Sequence, residues 1–153
     1  MTDDRTLTMV REFDAAPAAV FRAWTDPELI PLWFAPAPIT TPTVEVDLRV
    51  GGSNYIVMRL PDGTEMPNRG VYLEVEPGKR LVVTDAYTTA WVPSEKPFIT
   101  IIIDLEDLGS GRTRATYTVR HWSAEDRKMH EEMGFETGWG QCADQLAALL
   151  KTL

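Results

Sequence analysis

The sequence predicts an α+β domain: a curved antiparallel sheet of about seven strands around a long C-terminal helix, with two short helices after strand one. Three features of the chain predict it. Short blocks of alternating apolar and polar residues recur between residues 44 and 122, separated by Gly, Pro and Asp turn residues. A helical pattern then runs over residues 124–150. The links between successive strand blocks are short, so neighbours pair antiparallel; a parallel crossover needs about a dozen residues or more.

Leu7, Met9 and Arg11 alternate with Thr8, Val10 and Glu12, which predicts a first strand of about ten residues before Asp14. From Ala15 the period changes. Pro17 suits a first helical turn, where its missing N–H would have had no partner, and Val20, Phe21 and Trp24 follow at helical spacing. Asp26 and Pro27 restart the pattern as cap and first turn of a second short helix reaching Trp33, which Pro31 keeps short or distorts. Three prolines within residues 36–42 predict an extended connection.

Val44, Val46 and Leu48 alternate with Glu45, Asp47 and Arg49, a half-buried strand that Gly51 and Gly52 interrupt and residues 53–60 resume. Pro61-Asp62-Gly63 has hairpin chemistry, Pro fixing φ and Gly supplying a positive φ. Strands over residues 64–75 and 80–88 flank the turn Glu76-Pro77-Gly78-Lys79, and a polar loop carrying Trp91 covers residues 89–97. Residues 98–105 and 112–122 make a final hairpin. Ser123 caps the last element, with Asp126 three residues on in a relative of the capping box. A helix of roughly 25 residues would measure about 38 Å. It is the element large enough to cover one face of the sheet, while the two short helices can plug one end.

The 153 residues fit one domain, 1–153, with a core that needs neither metal nor disulfide. A hydrophobic fraction of 44% with 25% charged residues belongs to a globular chain. The net charge of −8 opposes nonspecific attraction to nucleic acid or anionic membrane, and Lys79-Arg80 and Arg127-Lys128 are isolated basic pairs. Cys142 is the one cysteine, so no internal disulfide forms and a cytoplasmic, reducing location is expected. Residues 1–11 lack the apolar stretch of a signal peptide, and no apolar run approaches the roughly 18 residues of a membrane span. No cofactor is expected. The chain has no paired-cysteine or histidine metal spacing, no glycine-rich phosphate loop before a helix, and no nucleophile elbow at Ser53.

Ala23-Trp24-Thr25-Asp26-Pro27-Glu28 with Trp33, then Val46-Asp47-Leu48-Arg49-Val50-Gly51-Gly52, carry a resemblance that continues through Asp62-Gly63, Gly70-Val71-Tyr72 and Glu76-Pro77 to Arg80-Leu81-Val82. It ends at Met133-Gly134-Phe135 and Gly138-Trp139-Gly140. In order and spacing the chain resembles the activator-of-Hsp90-ATPase homologue 1-like family of the START/Bet v 1-like (SRPBCC) superfamily. The resemblance implies the helix-grip fold and an internal cavity. Related domains bind lipids, hormones or polyketide-like molecules, some catalyse cyclisation or aromatisation, and the eukaryotic namesake stimulates a chaperone ATPase. Members often carry His where this chain has Glu136, so ligand preference can differ.

Gly134 and Gly138 share a helix face and either let the backbone approach a strand or leave room for a ligand; Trp139 beside them is core or lining. Met58, Met66, Met129 and Met133 suit an adaptable lining, or simply core. Trp33 and Phe34 are candidates for the pocket mouth, and Trp91 for the mouth or a lid. Polar candidates are Arg69, Tyr72, Asn54, Tyr87, Tyr117 and His121. Alternation points Arg69 inward, to grip a carboxylate or enolate, or Tyr72 inward as a hydroxyl donor, according to register. His130, among charged neighbours, reads as a solvated surface residue.

The leading expectation is therefore a domain that binds a small hydrophobic or amphipathic molecule in an internal cavity. The alternatives are a cyclase or aromatase acting on a polyketide-like substrate, and a protein-interaction module, linked to a chaperone or not, with an exposed patch around Trp91, Trp33 and Phe34. A homodimer is left open, since no interface is fixed by the sequence.

Overall fold

Residues 4–153 of the computed structural model are described. They form β1 (Thr6–Phe13), α1 (Pro17–Thr25), a 3₁₀ turn (Ile30–Leu32), β2 (Thr40–Val46), β3 (Ser53–Arg59), β4 (Glu65–Glu76) and β5 (Arg80–Thr84). There follow β6 (Tyr87–Thr89), β7 (Val92–Pro93), β8 (Ile99–Gly109), β9 (Arg112–His121), α2 (Ala124–Glu132) and α3 (Phe135–Leu150). Seven strands make one antiparallel sheet in the order β1-β9-β8-β5-β4-β3-β2, while β6 and β7 pair separately. The start of the N-terminal segment read above against a signal peptide, residues 1–3, lies outside the described residues.

Register sorts the side chains. Leu7, Val119, Ile101, Val83 and Tyr72 stand opposite one another across five strands, and Met9, Tyr117, Ile103, Leu81 and Val75 form the next row on the same face. Because side chains alternate along a strand, these rows line one concave surface. A bulge between Tyr72 and Glu74 restores the inward face for Val75 after Tyr72. Gly70 is fixed by close approach: a Cβ there would run into the Thr84 carbonyl oxygen of β5.

The helices cover that surface. In α1, Pro17 occupies the first turn as expected, and Val20, Phe21, Ala23 and Trp24 are buried at helical spacing. The predicted second short helix is a single 3₁₀ turn with Pro31 inside it, after which the Trp33 indole donates to the Ala23 carbonyl at 2.9 Å. In α3, Phe135, Ala143, Leu146 and Leu150 are buried; Ala143, Leu146 and Leu150 join Phe13, Trp24, Leu81, Ile103 and Tyr117 in one core.

Other local expectations change too. The strand expected from Val44 to Arg49 runs Thr40–Val46 instead, which leaves Leu48 exposed beyond its end. Residues 124–150 do not form one continuous helix. Gly134, at φ +99°, ends α2 and begins α3: its N–H bonds to Glu131 O at 3.1 Å and its carbonyl accepts from Gly138 at 2.8 Å. Only Gly takes that left-handed backbone without steric cost, so the long helix is 16 residues, about 24 Å. The strand expected over residues 80–88 stops at Thr84, where Asp85 turns the chain into β6, and the polar loop over residues 89–97 contains β7. Among the described residues no helix is long and apolar enough to cross a membrane.

Candidate functional site

Between the sheet and the segment joining α1 to β2 lies an enclosed cavity of about 40 Å³. Ile56, Tyr72, Leu81, Val83 and Ile101 line it from β3, β4, β5 and β8; Trp24, Ile30 and Phe34 close it from above. The roof is a cluster of aromatic edges. Trp24 meets Trp33 at 4.7 Å between ring centroids, Tyr117 at 5.5 Å and Phe34 at 6.4 Å. Such tilted pairs add roughly 0.5–1.5 kcal/mol each beyond their buried area.

The roof is tied down by α3. Gln145 Nε2 donates to the carbonyls of Trp33 at 2.9 Å and Ala35 at 2.8 Å, and its Oε1 accepts from the Ala37 N–H at 3.0 Å. Gln141 adds a bond to Ala37 O at 3.2 Å. A segment that helical and sheet bonding leave unpaired thus finds its partners on one helix face. Cys142 lies on the same face with its thiol toward Phe34 O, and burial pushes that thiol up to about 11, so it stays protonated and unreactive near neutrality.

One polar pair reaches the cavity. Asn54 Nδ2 donates to Tyr72 Oη at 2.9 Å, which leaves the Tyr72 O–H and the Asn54 carbonyl to serve a guest. Burial raises the Tyr72 hydroxyl above the usual phenol range, with the Asn54 bond opposing, so it is a donor and not a base. The Trp24 indole N–H leans toward the Tyr117 hydroxyl but is buried without a well-formed hydrogen bond. A buried donor without a well-formed bond costs about 1–3 kcal/mol. Among the described residues no carboxylate, imidazole, amine or guanidinium lines this cavity. This fold and its buried apolar and aromatic residues are consistent with an internal cavity able to bind a small hydrophobic ligand. At about 40 Å³ it is well below the roughly 300–1,000 Å³ of drug-sized sites, so a guest of more than a few atoms displaces lining side chains. Phe34, Val83 and Ile101 are the half-buried apolar residues among them.

The sequence-predicted residues fall in separate places. Phe34 and Tyr72 line the cavity; Trp33 and Tyr117 are buried in the core around it. Met58 is half-buried on β3 opposite Met66, which is exposed. Arg69 is exposed and stacks on the Tyr55 ring, 4.0 Å from its centroid, on the side of the sheet opposite Tyr72. Tyr87 and Trp91 meet edge to face at 5.4 Å in the β6–β7 hairpin, with Trp91 exposed and resting on Gly51. Met129 and Met133 are exposed on and just after α2; Trp139 is half-buried, packed on Phe135 and Tyr117. Around Gly134, Gly138 and Gly140 there is open space where a Cβ would project. Trp24, Ile30, Ile56, Leu81, Val83 and Ile101 are the lining residues that were not singled out. For the strand residues among them the signal was period-two alternation, which names a face without naming a cavity.

His130 is half-buried instead of solvated. His121 Nδ1 lies 2.9 Å from the Arg5 carbonyl, which can only accept, so that nitrogen carries the proton. In the neutral ring His121 Nε2 then accepts from His130 Nδ1 at 2.8 Å. Phe98, Phe135 and Trp139 surround His130. Burial, and secondarily His121, push its imidazole down to about 4.

The family described as "Activator of Hsp90 ATPase homolog 1-like protein" matches residues 14–151. Protein NE0264 from Nitrosomonas europaea is similar to the chain at 40% identity over 99% of this chain and 97% of that one, with a TM-score of 0.94. A protein from Arthrobacter aurescens is similar at 28% identity over 100% and 91%, TM-score 0.80. The AHSA1 (SPO3351) protein from Silicibacter pomeroyi, at 24% identity over 96% and 98% with a TM-score of 0.73, shares the fold. No curated protein matches. With the family match spanning nearly the whole chain, this protein belongs to the activator-of-Hsp90-ATPase homologue 1-like family of the SRPBCC superfamily.

Proposed function

We propose that the protein binds a small uncharged molecule, mostly hydrophobic and carrying one or two hydrogen-bonding oxygens, in the cavity between the sheet and the 33–37 segment. The observation that carries this reading is the pairing of an apolar, aromatic lining with the uncharged Tyr72–Asn54 pair. Moving an ion into such surroundings is costly without a partner charge, so the ligand head is neutral. Among the described residues the lining holds no carboxylate, imidazole or amine to move a proton, burial raises the Tyr72 hydroxyl, and Arg69 lies on the opposite face, so binding is favoured over a cyclase-type reaction. Interaction through one patch of Trp91, Trp33 and Phe34 is disfavoured because Trp33 is 3% exposed. A cytoplasmic location goes with this reading, supported by the single cysteine, Cys142.

Calorimetric titration with phenol and 1-octanol tests it. Saturable binding, weakened by about 3- to 10-fold in Tyr72→Phe, is the expected result. Absence of saturable binding by either probe, or full affinity in Tyr72→Phe, would refute the site as drawn.

A further inference from the structure

A second, open cleft of about 450 Å³ lies at one end of the sheet and shares no lining residue with the internal cavity. Its floor is set by register: Thr6, Arg120, Thr100 and Thr84 stand opposite one another across β1, β9, β8 and β5, so their side chains share a face. Eight other arginines are each paired with a carboxylate. The Arg120 side chain makes no hydrogen bond or ion pair with any described residue. In a chain of net charge −8, an arginine without a carboxylate is a cation kept open.

The hydroxyls beside it have a donor to spare. Thr84 Oγ and Thr100 Oγ are 2.8 Å apart, and the Ala86 N–H bonds to Thr84 Oγ at 3.1 Å. One hydroxyl hydrogen is consumed between the two threonines whichever donates, and the other remains for a guest. Phe98 and the exposed Trp122 supply flat apolar walls. Asp85 is the opposing charge in the lining. Its Oδ1 is engaged by the backbone N–H groups of Phe98 at 2.8 Å and Ile99 at 3.0 Å, which holds the carboxylate in place.

We propose that this cleft binds a small planar oxyanion, a carboxylate or phosphate monoester on a flat apolar group, with its charge between Arg120 and the Thr84–Thr100 pair and its flat part against Phe98 and Trp122. Guanidinium and hydroxyl donors match the acceptor-only chemistry of such oxygens.

Titration of the ¹⁵N-labelled protein with benzoate, phenyl phosphate, inorganic phosphate and benzyl alcohol tests the assignment. Saturable shifts at Thr84, Thr100, Arg120 and Trp122 with benzoate or phenyl phosphate are expected, and the stronger of the two identifies the head group. Arg120→Gln should weaken that binding by about tenfold or more. Arg114→Gln, on another part of the sheet, should not change it. Asp85→Asn keeps an acceptor for the two amides and removes the negative charge, so it should tighten binding. Equal binding by benzyl alcohol, by inorganic phosphate alone, or by Arg120→Gln overturns the proposal. Shifts centred on Ile56 and Tyr72 would overturn it too, by moving the anion to the internal cavity.

Discussion

Leu81 is 2% exposed, lies in the core, and forms part of the cavity wall, so Leu81→Ala enlarges the existing void from within. The void of about 40 Å³ already corresponds to about 1 kcal/mol at roughly 24 cal/mol per Å³. Its survival means that the surrounding strands and the Trp24–Trp33 cluster do not collapse into it. Removing the Leu branch forfeits a transfer free energy of about 2 kcal/mol, at roughly 0.8 kcal/mol per buried methylene. The added void costs more, and the expected loss is about 3–4 kcal/mol. For a chain of this size that lowers Tm by roughly 6–15 °C. Calorimetry of the wild type and Leu81→Ala, with and without benzene, is the assay. Benzene at about 100 times its Kd should return about 2.7 kcal/mol to the variant. A loss below about 1.5 kcal/mol, or a variant that benzene does not stabilise, would show that the wall relaxes into the space and that no rigid void exists beside Leu81.

Three further outcomes follow from particular contacts. His130 is held below its ordinary value, to about 4. Its contribution to stability is therefore complete above about pH 6.5 and fades as pH falls from there toward 4. Urea titrations between pH 7 and 4.5 should accordingly show a shallower loss of stability for His130→Asn, and an identical slope would contradict the burial of His130. Gly138→Ala places a methyl in open space inside α3 and should stabilise by about 0.8–1 kcal/mol, whereas Gly134→Ala forces Ala to φ +99° and should destabilise; equal effects would undermine the helix break. Gln145→Ala leaves the Trp33 and Ala35 carbonyls without that donor and should cost about 2–3 kcal/mol while speeding amide exchange in residues 33–39; unchanged exchange would mean that α3 does not hold the segment.

The main sheet was legible because alternation and turn chemistry agree from residue to residue: Val44-Glu45-Val46 and Pro61-Asp62-Gly63 each fix a local structure that the neighbouring strand then rewards. The break at Gly134 was hidden because a helical pattern continues on both sides of it, and only the backbone angle distinguishes a tolerated helix Gly from a junction. The β6–β7 hairpin was hidden because Val92–Pro93 is too short to show a period. For the sites, Tyr72 could be named as inward in one of two registers, but the choice depends on pairing with Val83, a long-range contact. The imidazole pair could not be read at all. His121 and His130 are nine residues apart in a sequence whose charged residues suggest solvent, and they meet only because α2 folds back along the end of β9. The oxyanion cleft is equally nonlocal, its floor drawn from four strands.

The most direct test places a ligand atom against a named wall. In protein labelled at Ile, Leu and Val methyls, bound phenol should give intermolecular NOEs to Ile56, Leu81, Val83 and Ile101, and lose affinity in Tyr72→Phe. NOEs confined to methyls outside that set, with the four cavity methyls silent at saturation, would contradict an internal ligand site.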